Sequence, residues 1–389
     1  MTAVNTLALR NHHEASAIGT LDVFRSEVRQ ILAEVILPHA DEWEADRRMD
    51  KSVWRSLADH GLLQHGLSGP DFLFSAILLE ELGRTGYAGI RASIGVHAYM
   101  AASYLEMFGT PEQQERYLEP CRRGSLVAGL AISEQGSGSD LHALSTTAVA
   151  TGAGYNVSGS KTYIANATTA DVFITLVKSG QSTATRGLVG GSLLITDAHH
   201  ESVERVQTPM LGWHSADIGT ITFRDTPVPE GALIGRQDRA ILHLMRALDF
   251  ERLAAALLAL GGARHCIELL DAFTRAHKIN GAPLSAKQSV RQEISKLHSE
   301  LETTRHYTYH AAQQHISGTL STRTASIAKL QATELARRAA AVCLQYHGAR
   351  GYTEDAVPSR IYRDAAAGSI AAGPSELLRD LIYESSTAP

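Results

Sequence analysis

The spacing of apolar positions divides the chain into three regimes. From Thr20 to about Cys121 the period is helical: Val23, Val28, Ile31, Leu32, Val35 and Ile36 share one broad face, and Pro38 sits near its end. Helical segments follow around residues 51–60 and 72–82, with Gly83 and Gly86 as stops, and residues 92–108 and 111–117 continue the style. Between Leu126 and Gly235 the period shortens to that of strands. Residues 171–178, 191–197 and 218–225 alternate or run apolar and β-branched, residues 155–159 read as a strand approaching a turn, and Pro227 and Pro229 punctuate the exit. From Arg239 long helices return. Val290, Ile294, Leu297, Leu301, Thr304 and Thr308 mark a packed face, residues 325–347 close on Gly348 in a C-cap position, and residues 375–385 end the chain as a short helix.

One helical stretch is more apolar than the rest: residues 247–264, ALDFERLAAALLALGGAR. Leu244, Leu248, Ala255, Leu258 and Gly262 recur there at steps of three and four, the mark of a buried stripe, and the series passes through Glu251. A carboxylate on a buried face costs several kcal/mol unless it is paired or protonated. Either a neighbour such as Arg252 satisfies Glu251, or its burial serves a reaction.

The order helices, sheet, helices predicts an α+β chain. Its expected parts are a tail over 1–19, an N-terminal helical bundle over 20–125, a small β-barrel or sandwich over 126–236, and a C-terminal four-helix bundle over 237–389. Composition changes little in this picture. A net charge of −5 with no basic block argues against nucleic acid. The apolar run over 253–263 is too short to span a bilayer. Nothing in the first eighteen residues reads as a signal peptide, and three well-separated cysteines without CxxC spacing fit a reducing compartment, so a cytoplasmic protein is expected. The adjacent pairs His12-His13 and His199-His200 do not share a helical face, and no metal site is expected.

Four motifs carry the chemistry. Residues 130–141 read LAISEQGSGSDL, 161–166 read KTYIAN, 211–235 read LGWHSADIGTITFRDTPVPEGALIG, and 345–352 read QYHGARGY, followed by YRDAAAGSIAAGPSELLRD. A Ser/Gly-rich loop after a strand brings backbone N–H groups and hydroxyls close to a ligand's oxygens. In this order and spacing the set resembles the acyl-CoA dehydrogenase family, over residues 20–385.

The resemblance implies FAD and a reaction that takes two hydrogens from an acyl thioester, the α-proton to a carboxylate and the β-hydrogen as hydride to flavin N5. It places Leu130, Ile132 and Ser133 on the isoalloxazine side, with Gly138 in the same loop. Ser139 lies at the pantetheine or pyrophosphate, and Tyr163 against the ring. Most members carry the base just before a Gly-Thr near the C-terminus, where this chain has Ala372. A minority, notably isovaleryl-CoA dehydrogenases, have alanine there and take the base from a helix position that aligns with Glu251, in an ERL sequence as here. By this resemblance Glu251 is the base and the Ala372 backbone N–H the second donor to the enolate oxygen, beside a flavin ribityl hydroxyl. Glu376, four residues late, is not assigned the base and falls among the cofactor positions.

Departures from the family pattern are also visible. Its usual Arg-x-Thr/Gln-Phe-Gly, which reaches the FAD of a neighbouring subunit, is replaced by His277-Lys278-Ile279-Asn280-Gly281. The bidentate guanidinium is therefore lost, leaving His277 or Lys278 to replace it, with His277, Asn280 and the nearby Gln288 among the expected cofactor positions. Pro374 and Ala165 stand where FAD-binding threonines are common, whereas Gln345, Gly348 and Ala349 keep the expected contact to the partner's adenosine end. Leu248, Asp249 and Arg252 match positions that line the substrate channel. The span 61–71 lacks the usual PEEYGGLG stretch, as in relatives that act on carrier-protein thioesters in secondary metabolism. The resemblance implies a short, branched or cyclic acyl group on CoA or a carrier protein. It also implies an electron-transfer flavoprotein or oxygen as acceptor and a homo-oligomer, tetramer or dimer. A flavin monooxygenase on the same scaffold, or a binding protein with a degraded flavin site, are the alternative readings.

Overall fold

The computed structural model describes residues 17–64, 66–179 and 191–387; the tail up to residue 16, including His12-His13, lies outside them. Thirteen α-helices are present among the described residues. They are α1 (Ala17–Val35), α2 (Ala40–Asp46), α3 (Ser52–Asp59), α4 (Phe72–Arg84), α5 (Ala88–Gly95), α6 (Ala102–Phe108), α7 (Pro111–Gln113) and α8 (Glu119–Arg122), then α9 (Ala240–Ala276), α10 (Gln288–Ile316), α11 (Thr322–His347), α12 (Val357–Gly368) and α13 (Ser375–Thr387). Between the two groups lie β1 (Ala128–Ala131), β2 (Thr147–Thr151), β3 (Gly154–Ile164), β4 (Val172–Lys178), β5 (Gly191–Asp197), β6 (Val203–Gln207), β7 (Gly219–Pro229) and β8 (Leu233–Ile234). The helices–sheet–helices order is as expected. Compactness divides the described residues differently from the linear reading: one unit draws on 38–64, 92–179 and 191–248, the other on 17–37, 66–91 and 249–387.

The first unit holds one sheet, ordered β6-β7-β3-β2-β4-β5-β8, with β1 parallel to β4. Every residue from Val172 to Val177 is buried, which is why this strand reads as a continuous apolar run. Pro229 is the last residue of β7 and Pro227 lies two before it, paired with Gly154 and Asn156 of β3 respectively, so the prolines mark the strand's exit as expected. Gly154 (φ +142) admits no side chain, since an added Cβ would stand 2.2 Å from the Val228 carbonyl oxygen. A π-helical turn, Val96–Ala101, joins α5 to α6 and carries His97. The buried His97 ring accepts the Ala128 N–H of β1 at Nδ1 (3.0 Å) and faces the Cys121 carbonyl with Nε2 (3.3 Å), so one neutral tautomer pins helix to strand.

The second unit is helical. The expected face of α1 is buried at Val28, Ile31 and Leu32, but at its start Phe24 is inside and Val23, expected there, is 51% exposed. Gly83 is no stop; it lies inside α4, where an added Cβ would stand 2.1 Å from the Leu258 carbonyl oxygen of α9. Gly261 of α9 approaches the Glu80 carbonyl oxygen equally closely (1.9 Å for its Cβ), so two glycines let the helix backbones touch. Beside this crossing Glu80 and Glu81 are buried and fully engaged. Glu80 meets Arg25 (2.9 Å), Arg305 (3.1 Å) and the Tyr309 hydroxyl (2.6 Å), and Glu81 meets Arg29 (2.6 Å) and Arg25. Helix α9 is apolar enough over eighteen residues to cross a membrane, yet 67% of that window is buried within the fold, as in a core helix.

Burial pushes the His97 imidazole from its ordinary value down to about 4, against a small opposing pull from the Cys121 carbonyl. The native state therefore keeps His97 neutral while the unfolded chain takes up its proton first as pH falls. Stability is thus full above the ordinary histidine value and is lost between about pH 6.5 and 4, by up to about 3 kcal/mol. Urea midpoints across that range should fall more steeply for the native chain than for His97→Gln; equal slopes would contradict the pin.

Candidate functional site

In the first unit, β1 leads into the loop 132–146, and a buried ion pair supports it from behind. Lys161, wholly buried on β3, donates to Glu134 Oε1 (2.8 Å) and to the Ile132 carbonyl (3.1 Å). Glu134 also accepts the N–H groups of Ser145 (2.7 Å) and Thr146 (3.0 Å). Burial alone would raise the Glu134 carboxyl; the bonds from Lys161, Ser145 and Thr146 outweigh it and hold the acid well below the usual range. Burial pushes the Lys161 ammonium the other way, downward, and Glu134 only partly restores it. The Thr162 N–H donates to the Ser133 carbonyl (2.9 Å). Both carbonyls at 132 and 133 are thereby tied down, while the Ser133 N–H and hydroxyl have no partner among the described residues.

The β3–β7 register breaks between Lys161 and Ile164, and at that bulge Tyr163 adopts φ +60 and stands 60% exposed. A tyrosine in the left-handed region is strained, and such strain gathers where a side chain must be aimed. The Thr162 hydroxyl is buried without a partner. Gly136 and Gly138 border open space, since an added Cβ would meet nothing within 4 Å, and Ser139 is exposed beside them. Free donors, a presented aromatic face and an open glycine loop fit a planar ring rimmed with heteroatoms, as in FAD. Leu130 and Ile132 are half-buried on the same segment. Ala165 is placed otherwise: its methyl packs with Ala92, Ala216 and Ile218 in a small core cluster.

In the second unit Glu251 is 5% exposed. The expected stripe is only part of the reason. Leu248, Ala255 and Gly262 are half-buried, whereas Phe250, Leu253, Ala254, Leu257 and Leu260 are fully enclosed, so α9 is surrounded on nearly every face here. Arg252, also buried, directs Nη1 to Asp249 Oδ1 (2.9 Å), and Asp249 Oδ2 accepts the Thr322 hydroxyl (2.8 Å). Asp249 and Arg252 thus form a tethered pair, and the Arg252 Nε–H, buried, has no acceptor among the described residues. The turn between α12 and α13 carries Ala372 at φ +53, next to Gly373 at φ +95. Among the described residues the Ala372 N–H meets no acceptor. Glu376, at the start of α13, is 82% exposed and pairs with Arg379 (3.5 Å). Pro374 is half-buried just before that helix.

The positions expected to reach a neighbouring copy cluster at the ends of α9 and α11. Phe273 stacks on His277 (5.0 Å between centroids) and on His347 (3.9 Å), which brings His277 beside Gln345, Gly348 and Ala349. Asn280 (φ +51) and Gly281 (φ +82) make the two-residue turn of a hairpin between Lys278–Ile279 and Ala282–Pro283, a turn that demands these residue types. Gln288 is exposed at the first position of α10.

Three functional candidates lay outside the sequence reading: Glu134, Lys161 and Lys329 of α11. The signal was available for both lysines. Lys161 falls on the buried phase of β3 with Tyr155 and Val157, and Lys329 on the buried stripe Ala325, Ala332 and Ala336 of α11.

Sequence models of the acyl-CoA dehydrogenase N-terminal, middle and C-terminal domains match residues 20–125, 129–226 and 241–387. The chain is 28% identical to the long-chain specific acyl-CoA dehydrogenase of Mus musculus, across 93% of this chain and 85% of that protein. It is also 28% identical to the isovaleryl-CoA dehydrogenase of Solanum tuberosum, across 92% and 88%. The solved acyl-CoA dehydrogenase of Geobacillus kaustophilus superposes with a TM-score of 0.89 at 28% identity, covering 97% of this chain and all of that one (100%).

Removing one member of a buried ion pair leaves the other uncompensated. Lys161→Met is expected to cost about 3 kcal/mol or more in urea unfolding, and adding Glu134→Gln should recover part of it. A Lys161→Met midpoint equal to that of the native chain would show that the pair does not hold the loop.

Proposed function

The chain belongs to the acyl-CoA dehydrogenase family, a family of FAD-dependent enzymes, and from that premise we propose that it oxidises the α,β-bond of a short, branched or cyclic acyl thioester with Glu251 as the base. The observation that carries the reading is the pairing of two features within one helical unit. Glu251 is buried on α9, and the position before Gly373 is Ala372, whose side chain cannot accept a proton but whose N–H is free to donate. An α-proton of a thioester is weakly acidic, so its removal needs a desolvated base together with fixed donors at the enolate oxygen. Glu251 would take that proton, and the Ala372 N–H would meet the thioester oxygen as charge develops there.

Bound FAD would accept the β-hydrogen as hydride at N5, which balances the loss of the α-proton and leaves an enoyl thioester. Ser133 and Tyr163 would hold the ring, with the open loop at Gly138 and Ser139 toward the phosphates and pantetheine. Arg252 and Asp249, already locked to each other, would present a fixed edge to the substrate rather than a mobile one. His277, Asn280, Gln288, Gln345, Gly348 and Ala349, gathered at exposed helix ends, would serve the cofactor of a second copy in a dimer or tetramer. The relatives named above act on long-chain and isovaleryl thioesters, so similarity alone leaves the acyl group open. CoA and carrier-protein thioesters are both within the proposal, as are an electron-transfer flavoprotein and oxygen as acceptors.

Anaerobic mixing of the FAD-loaded protein with a panel of acyl-CoA and carrier-protein thioesters should bleach the oxidised flavin for at least one branched or cyclic acyl group. Glu251→Gln should slow that bleaching by roughly 10²–10⁴-fold. Bleaching by Glu251→Gln at the native rate would remove the assignment.

A further inference from the structure

Lys329 has no exposed surface, and nothing about packing calls for an ammonium there. Buried charges are commonly replaced by apolar residues without loss of stability, so a retained one asks for a use. Burial first, and the like charge of Arg252 second, push the Lys329 ammonium down to about 8, while Glu334 and Glu376 pull it back up. Its Nζ spends a hydrogen bond on the carbonyl of Gly373, at 2.7 Å.

That carbonyl belongs to the turn between α12 and α13. Ala372 and Gly373 are consecutive residues in the left-handed region, and for alanine that conformation is disfavoured. The surrounding structure must therefore over-determine it. Besides the Lys329 bond, the Ser375 hydroxyl donates to Glu334 Oε1 (2.7 Å) and the Ser375 N–H to the Ser369 carbonyl (3.0 Å). Two of these three tethers come from α11, and between them the Ala372 N–H stays without an acceptor.

We infer that Lys329 is a positioning residue: by gripping the Gly373 carbonyl it holds the strained turn in the one conformation that presents the Ala372 N–H to a thioester oxygen. The inference rests on the proposed role of that N–H, yet the grip itself is measurable without substrate.

Hydrogen exchange in the FAD-loaded protein, followed over residues 369–375, should quicken about ten- to a hundredfold in Lys329→Met, the loss of one charge-assisted bond. Turnover should fall on the order of 10²-fold with KM little changed, because the donor shifts by a fraction of its bond length. Lys329→Arg, which keeps the charge and donors, should recover part of both losses, a recovery that a purely structural lysine would not show in kcat. If Lys329→Met does not fold, Lys329→Gln provides the same comparison with a polar group in the slot. Unchanged exchange in the turn overturns the inference, and so does native turnover in the variants. Should the native protein bleach with no thioester, the functional reading fails on its own, and the exchange data still decide whether Lys329 grips the turn.

Discussion

A carboxylate buried on α9, that of Glu251, is the constraint around which the rest of this molecule makes sense. Leu253, Ala254, Leu257 and Leu260, which follow it along the helix, are buried too, and two glycines draw the backbone of α4 against α9 one helical stretch further on. On that stretch Glu251 is only 5% exposed. Burying a carboxylate costs several kcal/mol unless it is paired or protonated, and a base that takes a proton from carbon needs such a desolvated setting.

Three other buried acids show how the same chain holds carboxylates at its junctions. Glu80 and Glu81 are met by arginines from α1 and α10, and Glu134 by Lys161 and two backbone N–H groups. Each is held by several donors at once, and each fixes a junction: helix to helix in the first case, strand to cofactor-side loop in the second. Backbone strain is distributed in a related way. Tyr163 and Ala372 are two of the nine described non-glycine residues in the left-handed region; Lys161, two residues before Tyr163, holds the Ile132 carbonyl, and Lys329 holds the Gly373 carbonyl next to Ala372. The rigidity is thus placed behind the groups that would meet ligand.

Much of this was legible in the sequence. The switch from helical to strand period located the sheet, and the motifs along the chain carried the family. What escaped has identifiable physical causes. The phase of α9 was read as a stripe, although a helix buried all round has no stripe to find. Gly83 was read as a stop because an isolated glycine in a helix signals a break, but here it marks a backbone crossing visible only when α9 is in place. Short β2 and β6, half exposed, carry no clear alternation. Lys161 and Lys329 carry the same sequence signal as Glu251, a charge on a buried phase.

The account stands or falls on proton removal from the α-carbon, and that step can be watched alone. A 3,3-dimethylbutanoyl thioester has α-hydrogens and no β-hydrogen, so no hydride can leave. Incubated in deuterium oxide with the FAD-loaded protein, it should gain deuterium at the α-carbon far faster than in buffer, and with Glu251→Gln it should gain it no faster than in buffer. Exchange by Glu251→Gln at the native rate would contradict the account at its centre.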